Sequence, residues 1–143
     1  MVRIKICGMT RVEDAIAAAE AGADAIGLVF ADSPRRVSTR QAREIVASLP
    51  PFVSAVGVFV NSRAATILKT AAEVGLSTVQ LHGDEPPGLV GQLGGLRVIK
   101  AMSVRHKTFV DDVRRFADAG VCGILLDAFN PKARGGTGKR FDW

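Results

Sequence analysis

The sequence predicts an α/β fold in which helices cover a parallel β-sheet. Short runs that are almost wholly apolar alternate with stretches whose apolar residues recur at helical spacing. Three joints between helix and strand look alike, since a glycine (Gly22, Gly75, Gly120) stands shortly before each apolar run. Apolar strands separated by amphipathic helices are typical of a parallel sheet that is buried on both faces.

Strands and helices are predicted in strict alternation. The first strand ends at Cys7, and later strands are expected at 25–30, 53–60, 79–82, 97–101 and 123–127. Helices are expected after Thr10, after Ser38, at 62–74, weakly at 84–93, and in a stretch that ends at Gly120. Neither a linker nor a change of composition divides the chain, so we expect one domain over residues 1–143.

The first strand delivers a thiol to a turn. Because side chains alternate along a strand, Lys5 and Cys7 are expected on one face, and Ile4 and Ile6 on the other. Gly8 then lets the backbone turn. The thiol is therefore expected at the carboxyl end of a strand, close to the amino terminus of the first helix.

Two helix starts carry capping signals. Thr10 with Glu13, and Ser38 with Gln41, both fit the capping box, in which two side chains satisfy each other's backbone N–H groups. Helical spacing also predicts the residues that face inward: Val12, Ala15, Ile16 and Ala19, then Ala42, Ile45, Val46 and Leu49, then Ile67, Leu68 and Ala71, and last Phe109, Val110, Val113 and Phe116.

The composition is that of a globular protein. With 143 residues, 48% of them hydrophobic, the chain is long enough to bury a substantial core. Its net charge of +5 is spread without a Lys/Arg run, which favours a solvated basic surface over nucleic-acid binding. No apolar stretch approaches the roughly 18 residues of a membrane helix and no signal-peptide pattern opens the chain, so we expect a cytoplasmic protein.

Two architectures fit this pattern, an open doubly wound sheet and a (β/α)8 barrel of which six units are present. Both place their ligands at the carboxyl ends of the strands. Five polar residues stand at or just after those ends: Cys7, Arg35, His82, Lys100 and Asp127.

Each of these five residues has an ordinary structural explanation, which for Asp127 is a helix N-cap. A strand-end cysteine such as Cys7 is more often a small buried hydrophobe than a nucleophile. Arg35 could be a solvated loop charge, Lys100 could neutralise a carboxylate inside the fold, and His82 could be a hydrogen-bonded core histidine. Asp127 is the hardest to explain in this way, because an unpaired carboxylate at the end of a buried strand is costly.

Several other kinds of site are excluded by their spacing. The run 135–140 is not a P-loop, because Ala133 and Arg140 stand where that motif needs glycine and a hydroxyl residue. The first strand–helix turn is not G-x-G-x-x-G, so a dinucleotide site is unsupported. The two histidines and two cysteines show no zinc spacing. The sequence thus indicates no metal and no cofactor.

Six motifs, in order along the whole chain, resemble those of the phosphoribosylanthranilate isomerase family. They are KICGMT at 5–10, GADAIGLVF at 22–30, SPRRVS at 33–38, VGVFVN at 56–61, QLHG at 80–83, and LLD at 125–127 with GTGKRFDW at 136–143. The resemblance implies a TIM (β/α)8 barrel and a cofactor-independent isomerase of tryptophan biosynthesis that performs an Amadori rearrangement. Its implied partner is a small phosphosugar, with no nucleic acid and no membrane.

The resemblance also implies two catalytic residues, Cys7 and Asp127. Protonated Asp127 would give a proton to the ribose ring oxygen as the ring opens, and Cys7, as a thiolate, would remove the C2' proton of the resulting imine. These residue types suit the reaction, because it needs two groups of opposite protonation. Lys5 and the positive end of the first helix favour the thiolate.

Four further residues are expected in the substrate pocket. Arg35 matches the family's arginine for the anthranilate carboxylate, a group that a planar, bidentate donor binds well. Gln80, His82 and Lys5 are expected to line the same pocket.

The sequence departs from the family pattern after the sixth strand. Barrels of this type start at roughly 200 residues, so we expect that the last two βα units, with the phosphate-binding loops, are missing from these 143 residues. The first and sixth strands would then be apolar edges open to self-association. Two alternatives stay open: a non-catalytic, partial-barrel assembly module, and another phosphosugar isomerase, which would keep Asp127 but not need Arg35.

Overall fold

The computed structural model describes residues 2–104 and 109–128, which form one curled, parallel β-sheet with helices on its outer side. The elements are β1 (Lys5–Cys7), α1 (Val12–Glu20), β2 (Ala25–Val29), α2 (Thr39–Ser48), β3 (Ser54–Phe59), α3 (Ala64–Val74), β4 (Thr78–Leu81), α4 (Gly88–Gln92), β5 (Arg97–Val104), α5 (Phe109–Asp118) and β6 (Gly123–Ala128). The run 133–140 and the final motif at 136–143 lie outside the described residues.

The strand order decides between the two predicted architectures. All neighbours are parallel and the order is β1-β2-β3-β4-β5-β6. A doubly wound sheet reverses its order at a switch point, whereas a barrel adds each strand beside the one before. The six βα units therefore follow the barrel arrangement, and the doubly wound alternative is wrong.

The curvature of the sheet follows from one contact. Lys5 Nζ lies 2.6 Å from Gln80 Oε1, although β2 and β3 separate their strands. Three strand spacings of a flat sheet amount to about 14 Å. The sheet is therefore curled towards these side chains, and the face that carries Lys5 and Gln80 is called the concave face below.

Helices bury the opposite, convex face. Ile26 and Leu28 of β2 and Val79 and Leu81 of β4 are 0% exposed there. Burying an aliphatic side chain of this size contributes about 1.5–3 kcal/mol, so this layer between sheet and helices is the main core. Ile6 of β1 packs against it as well, which agrees with the predicted alternation of side chains along β1.

The predicted end signals of three helices and one predicted cap are confirmed. Ser38 and Gln41 form the reciprocal capping box at the start of α2. Gly22, Gly75 and Gly120 adopt positive φ values of 95°, 83° and 90° at the ends of α1, α3 and α5. Glycine adopts this left-handed conformation without the strain that a Cβ atom brings.

The capping box predicted at Thr10 and Glu13 is wrong. Helix α1 starts at Val12, and its N-cap is Arg11, which makes no side-chain cap. The cause lies in the preceding turn, since the N–H groups of residues 8 and 9 both donate to the carbonyl of Gly27 in β2. The turn is thereby held against the sheet, and the helix begins after it.

Two predictions of inward-facing residues are also wrong. Leu68 is 37% and Val110 is 43% exposed, because each lies at the edge of its helix's apolar stripe, whereas Ile67 and Phe116 are buried.

The helix predicted at 84–93 is shorter in the structure and begins only at residue 88. A residue that precedes proline avoids helical geometry, and residues 86 and 87 are both proline. Among the described residues, no helix is long and apolar enough to cross a membrane.

Candidate active site

A chain of four side chains crosses the concave face from β1 to β6. Lys5 Nζ donates to Gln80 Oε1 at 2.6 Å, and Gln80 Nε2 lies 2.9 Å from His82 Nδ1. His82 Nε2 lies 3.4 Å from Asp127 Oδ2. Residues that are up to 122 positions apart in sequence therefore meet in one network, and the sequence predicts all four of them for the site.

The network is most buried at Gln80 and more open at His82 and Asp127. Gln80 is 1% exposed, whereas the side chains of His82 and Asp127 are each 19% exposed. Burial, the largest cause, lowers the pKa of His82, the Asp127 carboxylate raises it, and the positive charges of Lys100 and Lys5 lower it again. The net direction is downward, so the His82 imidazole is neutral around pH 7.

Cys7 is the last residue of β1 and lies beside Gly27 of β2. The two residues are partners in the parallel register. A Cβ atom at Gly27 would lie 2.6 Å from Cys7 Sγ, closer than real Cβ contacts allow. The absence of a side chain at Gly27 thus creates the space for the thiol on the concave face, which Cys7 shares with Lys5 two residues earlier.

Arg35 lies over the turn that follows Cys7. Its Nη1 donates to the Cys7 carbonyl oxygen at 3.3 Å. Gly8 has φ +90, and a Cβ atom there would lie 2.7 Å from Arg35 Cδ. Gly8 therefore both makes the turn and leaves room for the arginine, which brings a positive charge to the carboxyl end of β1.

Lys100 lies on the convex face, away from this network. Its Nζ pairs with Glu85 Oε2 at 2.8 Å, and both side chains are at most 4% exposed. Its ammonium also lies 5.5 Å from the centre of the Phe116 ring. The structural explanation of Lys100, neutralisation of a carboxylate inside the fold, is therefore confirmed.

Glu85 also fixes the loop after β4. It accepts from the backbone N–H groups of Asn61 at 2.9 Å and Gly83 at 3.0 Å. Asn61 Oδ1 in turn accepts from the N–H of Asp84. The loops that follow β3 and β4 are thereby tied to each other and, through the Glu85–Lys100 pair, to β5.

The sequence analysis missed three residues that shape the site. Gly8 leaves room for Arg35, Gly27 leaves room for the Cys7 thiol, and Glu85 holds the loop after β4. Gly27 interrupts an apolar run that otherwise reads as an ordinary strand, and a glycine inside a strand indicates close approach of another group. That signal was available. Within residues 2–104 and 109–128, no cluster of three His, Cys, Asp or Glu residues could hold a metal ion.

Comparison with known proteins identifies the family. The model of the N-(5'-phosphoribosyl)anthranilate (PRA) isomerase family matches residues 4–143. The chain belongs to the PRA isomerase family. The PRA isomerase of Geobacter metallireducens is 52% identical over 144 residues, which cover 100% of this chain and 69% of the relative. That of Pseudomonas putida is also 52% identical and is covered to 68%.

Solved structures of PRA isomerases have the same fold. The enzyme from Thermotoga maritima superimposes with a TM-score of 0.90 at 46% identity, over 100% of this chain and 69% of that one. A PRA isomerase in complex with reduced 1-(o-carboxyphenylamino)-1-deoxyribulose 5-phosphate superimposes with a TM-score of 0.83 at 45% identity, over 91% of this chain and 66% of that one. The predicted barrel-type fold and the predicted family are both confirmed.

Proposed function

We propose that this protein isomerises N-(5'-phosphoribosyl)anthranilate to 1-(2-carboxyphenylamino)-1-deoxyribulose 5-phosphate in tryptophan biosynthesis. The observation that carries the proposal is the arrangement of the concave face in a chain of this family. Cys7 and Asp127 stand at the carboxyl ends of β1 and β6, and a network of polar contacts leads from β1 to Asp127. The similar structure that holds a reduced form of the product supports the same substrate class.

Asp127 is the proposed general acid for ring opening. Its carboxyl group gives a proton to the ribose ring oxygen while the C1'–O bond breaks, and the nitrogen lone pair forms the C1'=N bond. The carboxylate that results accepts a hydrogen bond from His82 Nε2, which lies 3.4 Å away. A hydrogen bond to a charged acceptor is stronger than one to a neutral acceptor, so His82 favours the proton transfer.

Cys7 is the proposed general base of the next step. Its thiolate takes the proton from C2', and the electrons of that C–H bond form a C1'=C2' bond as the nitrogen recovers its lone pair. The enolamine then takes up a proton at C1' and loses one from the C2' hydroxyl to give the ketone. Proton transfer by a positioned side chain contributes roughly 10²–10⁴-fold.

Arg35 is proposed to bind the anthranilate carboxylate. A guanidinium offers two parallel N–H groups to a carboxylate. The side chain is held next to Cys7 by its bond to the Cys7 carbonyl. Substrate bound there would present its ribose portion to the concave face.

Exchange of the two proposed catalytic residues in the full-length protein tests the function. Cys7→Ala and Asp127→Asn should each abolish turnover of N-(5'-phosphoribosyl)anthranilate, while circular dichroism and the unfolding midpoint stay close to wild type. Cys122→Ala and Asp118→Asn are matched controls at exposed positions and should keep full turnover. Undiminished turnover in either active-site variant would refute the mechanism.

Self-association through the outer strands of the sheet stays a prediction, as does a cytoplasmic location. One structure of 42% identity and TM-score 0.82 is described as monomers generated from the dimeric PRA isomerase of Thermotoga maritima, so one similar protein is a dimer, which supports the prediction of self-association. Light scattering of the 143-residue chain measures its mass in solution, and a monomer at every concentration would rule the prediction out.

A further inference from the structure

We infer that Gln80 is a positioning residue: its amide, oriented by Lys5, fixes the ring proton of His82 on Nε2 and so directs an N–H donor at the carboxyl group of Asp127. The inference rests on the proposed function only for its effect on turnover. The place of the proton on His82 is a property of the resting protein and can be measured without substrate.

Lys5 decides which way the Gln80 amide points. An ammonium group has hydrogen-bond donors and no acceptor, so the atom 2.6 Å from Lys5 Nζ must be the amide oxygen. The reversed amide would place an NH2 group against the ammonium. Because Gln80 is 1% exposed, water does not supply a replacement partner, and the reversed orientation is strongly disfavoured.

The amide orientation in turn selects the tautomer of His82. With its oxygen facing Lys5, Gln80 presents Nε2 to His82 Nδ1 at 2.9 Å. An amide nitrogen only donates, so Nδ1 must be the bare, accepting nitrogen of the ring. In a neutral imidazole the single proton then resides on Nε2. Burial, which lowers the pKa of His82, favours this neutral form.

The selected tautomer aims its N–H at the group that is proposed to lose a proton. His82 Nε2 lies 3.4 Å from Asp127 Oδ2, and a charged carboxylate attracts an N–H donor more strongly than a neutral carboxyl group does. The interaction strengthens as the proton leaves Asp127, and a contact that strengthens towards the transition state raises kcat more than it lowers KM. Lys5, Gln80 and His82 thus form a chain with a single direction of donation that ends at the proposed acid.

Nitrogen NMR of 15N-histidine-labelled, full-length protein tests the inference. The His82 signal, assigned by its loss in His82→Asn, should show a bare Nδ1 and a protonated Nε2. In Gln80→Glu a carboxylate oxygen faces Nδ1 and should move a proton onto it. Turnover should then fall by about 10- to 100-fold in kcat, within the range that general acid catalysis contributes, with KM changed by less than about twofold, because the affected contact strengthens only towards the transition state.

Two further variants keep the test decisive if Gln80→Glu does not fold. Lys5→Met frees the amide to reverse and should give a mixture of His82 tautomers, whereas Lys5→Arg keeps a donor and should restore the single one. Gln92→Glu, a matched change at an exposed position, should alter neither spectrum nor turnover.

The outcomes separate this inference from the proposed function. A wild-type His82 protonated on Nδ1, or a Gln80→Glu variant whose Nδ1 stays bare, would overturn the inference and leave the proposed function standing. A wild type with the Nε2 tautomer but no turnover of N-(5'-phosphoribosyl)anthranilate would refute the proposed function and uphold the positioning of His82.

Discussion

Cys7 Sγ occupies the space that a side chain at Gly27 would need, since a Cβ atom there would lie 2.6 Å from the sulfur. The contact joins the last residue of β1 to its register partner in the middle of β2. The backbone of β2 is thus part of the wall that positions the proposed base. Gly27, which has no side chain, is therefore expected to affect catalysis through the position of the Cys7 thiol.

Gly27→Ala should lower kcat and also cost some stability, because a Cβ atom there would lie 3.0 Å from Cys7 Cα as well. The added methyl group displaces the Cys7 thiol, and a misplacement of about 1 Å can cost on the order of 10²-fold in rate. Steady-state kinetics and the rate of thiol alkylation measure the effect. Gly91→Ala is the matched control, because no atom lies within 4 Å of a Cβ built there. Equal kinetics in the two variants would show that Gly27 does not position the thiol.

Much of the fold follows from local patterns. Apolar strands, helix-ending glycines and the Ser38–Gln41 capping box all express preferences within a few residues, so they could be predicted. The start of α1 could not be predicted, because it depends on bonds from residues 8–9 to Gly27, a partner about 20 residues away. Tertiary contacts decided that helix boundary against a valid local signal.

The composition of the site was predicted better than its arrangement. Both faces of a parallel strand are buried, so the pattern along β5 does not reveal that Lys100 faces the helices while Asp127 of β6 faces the concave side. The bond between Lys5 and Gln80 needs a curled sheet, and curvature leaves no mark on hydrophobic periodicity. Gly27 and Gly8 matter because they have no Cβ atom, which leaves room for Cys7 Sγ and Arg35, and the hydrophobic pattern does not show such close contacts.

Gly8→Ala should raise KM by displacing Arg35 from its place over the β1–α1 turn. The methyl group would lie 2.7 Å from Arg35 Cδ, and the left-handed backbone adds strain of about 1–3 kcal/mol. Gly22→Ala is a matched control, because φ is +95 at Gly22 but no atom lies within 4 Å. Both variants should lose stability in denaturant unfolding, and only Gly8→Ala should raise KM. A normal KM in that variant would contradict the role of Gly8.

Loss of Lys100 should destabilise the protein severely. Lys100→Met leaves the Glu85 carboxylate buried without its cation, and breaking a buried ion pair in this way costs about 3–5 kcal/mol. Denaturant unfolding measures the loss. Lys69→Met is the matched control, because the Lys69–Glu73 pair is exposed and spans 3.9 Å. Such a pair contributes about 0–1 kcal/mol.

A second substitution separates the charge from the packing. Glu85→Gln added to Lys100→Met removes the unpaired charge and keeps an oxygen for the N–H groups of Asn61 and Gly83. The double variant should therefore be more stable than Lys100→Met alone. If the two losses simply added, the cost of Lys100→Met would come from packing and not from the buried charge.

His82 should make the protein less stable as the pH falls below about 6.5. Its pKa is lower in the folded protein than the ordinary value of 6.5, so the unfolded chain binds the proton first. Above pH 6.5 both states are neutral and His82 adds no pH dependence. Below it, protonation favours the unfolded state by at most about 1.4 kcal/mol per pH unit. Asp24, whose pKa is lowered by the Ile4 N–H and by Arg3, affects stability in a separate pH range, below its ordinary pKa of 3.8.

Urea unfolding of wild type and His82→Asn between pH 7.5 and 5 measures the contribution of His82 to the free energy of unfolding. The difference in free energy between the two proteins should change with pH, because only wild type has the His82 proton. A difference that stays constant over this range would report lost contacts only and would contradict the prediction.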